Sequence, residues 1–244
     1  MRIIKLNAIE STNSFLKDLS VNSSLEDFTV VITDEQTSGR GQMHTKWVSE
    51  AGKNLMFSVF AKFYDFDILN QTYLNFAVAI AVFEAINKLK IPKLAVKWPN
   101  DILAEKKKIC GILIENNLKG KYIDTAIIGI GINVNQESFP TSLPDASSIK
   151  MILNEEIELE NLLKEVLEQL KIYTDILKGK DFKFLEEKYL SILYKKNTPC
   201  MFKDAKNVLF MGKIIGVNTT NGKLQIELSD ETIKEFALKE VSFA

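Results

Sequence analysis

Apolar positions along the chain recur with two periods, and each period predicts an element. Phe28 to Thr33 (Phe-Thr-Val-Val-Ile-Thr) is β-branched and Asn54 to Phe63 alternates, so both segments predict strands. Ile157, Leu159, Leu162, Leu163, Val166, Leu167, Leu170 and Tyr173 keep helical spacing and predict a helix from about Glu155 to Leu177. Leu74 to Leu89 is apolar almost all round, which suits a helix buried against a sheet. Ser11-Thr12-Asn13-Ser14, ahead of Phe15, Leu16 and Leu19, reads as the capped start of a short helix. Leu94 to Lys97, Ile109 to Glu115 and Tyr122 to Asn133 predict further strands, the last two joined by a hairpin turn over Asn116 to Gly120. A helical stretch on Phe182, Leu185, Tyr189, Leu190 and Leu193 leads to Tyr194-Lys195-Lys196-Asn197-Thr198-Pro199, and beyond it come only short strands. Their turn signals, at Asp204, Asn218 to Gly222 and Ser229-Asp230, predict a small all-β barrel. The boundary falls near Lys196, dividing residues 1–196 from 197–244.

Composition narrows the class of protein. With 31 basic and 32 acidic residues the net charge is −1, and no basic face calls for nucleic acid. The two cysteines, Cys110 and Cys200, suit a reduced cytosol, and Cys110 sits in an apolar strand where a thiol packs as a small hydrophobe. The N-terminus lacks the apolar run of a signal peptide, and no window is read as long and apolar enough to span a bilayer. A soluble, cytoplasmic protein is expected.

Four segments carry candidate chemistry. Lys97-Trp98-Pro99-Asn100-Asp101 runs a strand into a proline, so Asn100 and Asp101 emerge at a fixed corner. After Glu105-Lys106-Lys107, which reads as a solvated turn, Lys108 opens a strand through Gly111, where backbone approaches closely. Trp98 reads as core packing. Gln36-Thr37-Ser38-Gly39-Arg40-Gly41-Gln42 sets an arginine between two glycines, a loop that suits a carboxylate or phosphate and also occurs in ordinary turns. In Ile128-Gly129-Ile130-Gly131-Ile132-Asn133 both glycines fall on one strand face, bare either for a flat ligand or for tight packing. Ser11-Thr12-Asn13 is a helix cap whose free amides are compatible with ligand binding. The single histidine, His44, reads as incidental, and neither a catalytic triad nor a histidine-rich metal site has material to be built from.

Taken in order, these motifs resemble the biotin protein ligase family (biotin–acetyl-CoA-carboxylase ligases). The likeness runs from Glu10-Ser11-Thr12-Asn13 through Gln36, Gly39-Arg40-Gly41, Trp47, Asn54-Leu55 and Lys97 to Asp101. It continues over Lys108 to Glu115 and Gly129 to Asn133. The resemblance implies an α+β fold: a class II aminoacyl-tRNA-synthetase-like mixed-sheet catalytic domain over 1–196 and an SH3-like C-terminal domain over 197–244. It implies two steps: biotin and ATP give biotinyl-5′-AMP and pyrophosphate, and a lysine of a biotin carboxyl carrier domain then displaces AMP. By the same resemblance, biotin is held by Ser11, Thr12, Asn13, Gln36, Gly39, Arg40, Gly41, Gln42, Lys108, Gly111, Gly129 and Gly131. The nucleotide is met by Arg40, Trp47, Lys97, Asn100, Asp101, Lys108 and Asn133. Arg40, Lys108 and Asp101 are the implied catalytic groups, with Mg²⁺ carried by the phosphates and Asp101, and Gln136 to Ser148 is the implied loop over adenine.

Two departures qualify the resemblance. Many relatives continue the loop as Gly-Arg-Gly-Arg, whereas this chain has Gln42 there, which implies a looser hold on the adenylate. Bifunctional relatives carry a helix-turn-helix domain before the catalytic region, and here the motif begins at Glu10, so no operator binding is expected. A lipoate protein ligase is the enzymatic alternative, and a non-catalytic biotin-binding module would lack the Lys97, Asp101 and Lys108 set. A monomer and a sheet-edge homodimer both remain open.

Overall fold

The computed structural model describes residues 1–244 except the side chain of His44, so the expectation of an incidental role for His44 lies outside the described residues. In chain order the elements are β1 (Ile3–Ile9), α1 (Thr12–Asn22), β2 (Thr29–Gln36), β3 (Leu55–Asp67), α2 (Gln71–Asn87), β4 (Ala95–Lys97) and β5 (Asp101–Ala104). They continue with β6 (Lys107–Lys119), β7 (Tyr122–Ile132), α3 (Ile149–Leu153), α4 (Leu159–Lys178) and α5 (Phe182–Ser191). Five short strands close the chain: β8 (Pro199–Asp204), β9 (Leu209–Val217), β10 (Leu224–Leu228), β11 (Ile233–Phe236) and β12 (Val241–Phe243).

The first seven strands form one sheet in the order β1-β2-β3-β7-β6-β5-β4. Only β1 and β2 run parallel, and α1 supplies the crossover that a parallel pair requires. Alternation along the strands divides the sheet into two faces. Val31, Phe60 and Ile127 join Leu16 of α1 on one side, while their neighbours Val30, Val59 and Ile128 join the main core with α2 and α4 on the other. The C-terminal strands make a five-stranded sheet in the order β11-β10-β9-β8-β12. Its Phe202, Ile214, Val217, Leu224 and Ile226 are continuous with the main core, and Trp98 Nε1 donates to Gly222 O at 3.0 Å across the junction. The expected mixed-sheet α+β architecture is therefore present, with a β-rich C-terminal part.

Several expectations are corrected. Residues 68–87 are long and apolar enough to cross a bilayer by length and composition, contrary to the sequence reading; 61% of that stretch is buried inside the fold, where α2 lies under α4 and α5. β1 was not anticipated, because an edge strand with one half-buried face carries little alternation. The segment between Asp101 and Lys108 is a strand, β5, plus a tight turn in which Glu105 and Lys106 take φ 48° and 68°. β6 runs through Asn116 to Lys119, so the hairpin turn is only Gly120-Lys121, with Gly120 at φ 62°. The α4 helix starts at Leu159, four residues after Glu155, because Asn154 ends α3 in the left-handed region and Ile157 is captured by Asn135. Asn135 Oδ1 accepts from Ile157 N at 2.9 Å and its Nδ2 donates to Ile157 O at 2.8 Å.

Candidate active site

The ends of β2, β6 and β7 and the start of α1 enclose a cleft of about 220 Å³. Its deep wall is set by a chain of polar side chains that would each be costly to bury alone. Ser11 caps α1 by accepting from Ser14 N at 3.5 Å, which leaves Thr12 and Asn13 at the helix start, each under 5% exposed. Gln36 Oε1, at the end of β2, accepts from Thr12 N at 2.9 Å and from Thr12 Oγ1 at 3.2 Å. Ser58 Oγ on β3 lies 2.7 Å from Thr12 Oγ1 and 2.6 Å from Asn13 Oδ1. Asn13 Nδ2 donates to Glu115 Oε2 at 2.8 Å, and Glu115 Oε1 accepts from Arg40 Nη2 at 2.8 Å. The chain therefore runs unbroken from Gln36 to the arginine of the glycine loop. Burial alone would raise the Glu115 carboxyl, but the hydrogen bonds from Asn13 and Arg40 and the nearby cationic charge outweigh it and hold Glu115 below the usual carboxylate range.

The loop carrying Arg40 is closed on itself. Gly41 N donates to Thr45 O at 2.7 Å and Trp47 N to Gly39 O at 2.9 Å. This clasp delivers the Trp47 indole onto the sheet. A Cβ on Gly131 would lie 2.5 Å from Trp47 Cε2, and one on Gly111, its partner across β6 and β7, would lie 3.0 Å from Trp47 Cζ3. Gly129 is bare for a different side chain, since a Cβ there would collide with the Asn13 carboxamide. The glycine face is thus filled by Trp47 and Asn13, so of the two readings left open, tight packing describes what the structure contains. Both side chains still line the cleft from that position.

Lys108 and Asp101 meet on the opposite wall. Lys108 Nζ is 2.7 Å from Asp101 Oδ1 and 5.8 Å from the Trp47 ring centroid. The ammonium approaches off the line of a hydrogen bond, so the buried Oδ1 keeps its charge contact but has no aligned donor. Backbone bonds lock the strand start: Lys108 N donates to Asp145 O at 2.7 Å and Ser147 N to Lys108 O at 3.0 Å. Asn100, at the corner after Pro99, donates to Ile112 O at 2.7 Å. Behind this wall, burial pushes the Cys110 thiol far up and the Lys108 charge only partly opposes it, so Cys110 is a packing group.

Fourteen of the seventeen candidate residues border the cleft; Gly39, Lys97 and Asn133 do not. Gly39 lies behind the loop against the Trp47 backbone. Lys97 points into a separate cavity at the C-terminal sheet, with its Nζ 5.8 Å from the Phe243 ring centroid. Asn133 is buried and donates to Ser147 O at 3.0 Å, pinning the segment that ends at Ser148. Lys106 and Lys107 are both exposed as expected, and Lys107 Nζ also donates to Pro144 O at 2.8 Å at the surface. Sequence reading missed Ser58, Glu115, Leu238 and Lys239. Glu115 was legible in principle, because an acid two residues past Leu113 and four past Gly111 shares their face. Leu238 and Lys239 reach the cleft from the C-terminal sheet and carry no local signal.

Residues 6–133 match the model of the biotin/lipoate A/B protein ligase family, more than half of the chain. The chain belongs to this family. Among curated relatives, the bifunctional ligase/repressor BirA of Bacillus spizizenii is 35% identical over 168 residues, covering 68% of this chain and 51% of the relative. The biotin–[acetyl-CoA-carboxylase] ligase of Paracoccus denitrificans is 31% identical over 143 residues, covering 58% and 55%. The chain thus spans about half the length of the curated relatives it matches. A solved biotin protein ligase from Aquifex aeolicus, in complex with biotin and ATP, superposes with a TM-score of 0.80 at 28% identity, covering 100% of this chain and 98% of that one. The biotin protein ligase of Leishmania major, in complex with biotinyl-5-AMP, shares the fold at a TM-score of 0.67 and 20% identity, covering 97% and 99%.

Proposed function

We propose that this protein attaches biotin to a lysine of a carboxylase's biotin carboxyl carrier domain, using ATP and passing through biotinyl-5′-AMP. The observation that carries the reading is the convergence of Arg40, Lys108 and Asp101 on one cleft. The fold around that cleft matches, over its whole length, a biotin protein ligase in complex with biotin and ATP. In the first step a biotin carboxylate oxygen bonds to the α-phosphorus of ATP and the bond to pyrophosphate breaks. Both partners are anions, so cations fixed beside the cleft lower the barrier by offsetting their repulsion. In the second step the lysine amine bonds to the acyl carbon, AMP leaves with the bonding pair, and the ammonium proton passes to solvent or to Asp101. The acyl adenylate is already activated, so this step calls mainly for positioning.

Roles follow from placement. Ser11, Thr12, Asn13 and Gln36, at the polar end, suit the hydrogen-bonding head of biotin, with Gly41 in the loop beside it and Gly111, Gly129 and Gly131 letting Trp47 and Asn13 settle onto the sheet where they line the cleft. Arg40 and Lys108 suit the carboxylate and phosphates, and Trp47 and Asn100 the nucleotide. Lys97, Gly39 and Asn133 are better read as supports, outside the cleft. No group of three His, Cys, Asp or Glu side chains among the described residues makes a protein-only metal site. A magnesium ion held chiefly by phosphates needs one carboxylate, and Asp101, the carboxylate on the cleft wall, fits that part by its donor chemistry. Bound there, the ion would screen phosphate charge. We also read the main sheet as class II synthetase-like and the C-terminal sheet as an SH3-like barrel, divided at 196/197. The polar run Lys195 to Thr198 just before β8 supports that division.

Incubation with ATP, Mg²⁺, a carrier domain and either biotin or lipoate, followed by intact mass, tests the reading. A biotinyl increment is expected; a lipoyl increment, or none with either acid, overturns it. Gln42 lines the cleft where many relatives carry arginine. Gln42→Arg is expected to slow release of the adenylate to solvent relative to wild type, and equal or faster release would count against a looser loop.

A further inference from the structure

The cleft is backed by one carboxylate that neither step uses. Glu115 projects from β6 with its two oxygens divided: Oε2 accepts from Asn13 Nδ2 and Oε1 from Arg40 Nη2, each at 2.8 Å. Asn13 is 3% exposed and is fixed at its other end, where Oδ1 accepts from Ser58 Oγ at 2.6 Å. Arg40 has a second anchor, Nη1 donating to Ser14 Oγ at 3.1 Å, which leaves three of the guanidinium's five donors for a ligand.

Only a carboxylate meets this demand. Both neighbours offer N–H groups, and a glutamine of the same shape has one accepting end and one donating end, so it satisfies one neighbour and confronts the other. We infer that Glu115 is a positioning residue: it orients the Asn13 carboxamide and the Arg40 guanidinium together before ligand arrives, so that the acid substrate meets both already in place. The inference rests on the ligase reading above. Ordering the site beforehand lowers the cost of binding, while Lys108 on the opposite wall keeps its place for the chemical step, so the larger part of the loss falls on affinity and the smaller part on kcat.

The test compares wild type, Glu115→Gln, Arg40→Ala and the double variant by equilibrium dialysis of labelled biotin without ATP, and the first two also by biotin-dependent ATP–pyrophosphate exchange. Glu115→Gln is expected to weaken biotin binding and raise its KM by about tenfold, with kcat within about threefold of wild type. In the Arg40→Ala background the same change should cost less than about threefold, since one of the two groups it holds is already gone. Glu115→Asp, which keeps both acceptors on a shorter stem, should recover part of the loss. Wild-type affinity in Glu115→Gln, a fall in kcat at unchanged KM, or fully multiplicative losses in the double variant would each overturn the inference. Should the glutamine variant fail to fold, Glu115→Asp decides: a partial loss of affinity supports the role and wild-type affinity refutes it. Wild type that binds no biotin, or binds it without exchanging pyrophosphate, overturns the ligase reading instead, so the two failures are told apart.

Discussion

Lys108→Ala is expected to lower biotin-dependent ATP–pyrophosphate exchange by about 10²- to 10³-fold, the range for removing one fixed group that stabilises developing charge. The effect has two sources. The cleft loses a cation whose side chain is only 37% exposed, so solvent does not fully screen what it offers a phosphate. Asp101, 19% exposed and 2.7 Å away, loses its charge partner and turns an unbalanced carboxylate toward an anionic substrate. Lys106→Ala is the control. Lys106 sits in the turn at φ 68°, where lysine and alanine are equally strained, and it is exposed and does not line the cleft. Exchange within about twofold of wild type is expected there. Retention of more than a tenth of wild-type exchange by Lys108→Ala, or an equal fall in Lys106→Ala, would remove Lys108 from the reaction.

That contrast between neighbouring lysines shows where sequence reasoning reaches and where it stops. Lys108 was separable from Lys106 because it opens a strand, and strand periodicity is a local property that fixes which way a side chain points. The same locality made α1, β2, α2 and β7 legible, α1 through its cap, α2 through an unbroken apolar run and the strands through their β-branched or alternating residues. Lys97 lies outside the cleft for the opposite reason. It is local to the Trp98-Pro99 corner, yet its surroundings are supplied by Phe243, far along the chain. Lys107 is exposed as its turn suggests, but its bond to Pro144 O could not be read, because that acceptor belongs to a segment with no periodicity to place it. Glu115 lay inside a recognised motif and still went unassigned, since its meaning depends on Asn13 and Arg40, two groups brought to it by different elements. Local order was readable; long-range juxtaposition of polar groups was not.

The glycines of β7 permit a sharper test of what fills the cleft. Gly131 lies on a central strand, paired with Met56 of β3 on one side and Gly111 of β6 on the other, so its backbone has no room to retreat. A Cβ there would meet Trp47 Cε2 at 2.5 Å and Cζ2 at 2.7 Å. Gly131→Val is therefore expected to cost about 1–3 kcal/mol through overpacking, a fall in Tm of roughly 2–12 °C for a domain of this size, and to abolish exchange. Trp47→Ala removes the obstacle. In that background the valine should cost almost nothing further, with Tm within about 2 °C of Trp47→Ala alone, because the two changes compete for one volume. Activity should not return, since the double variant has regained its packing without the indole proposed to meet the nucleotide. If the valine costs as much without Trp47 as with it, the strain lies in the strand itself and the close fit of indole on glycine is not what demands Gly131.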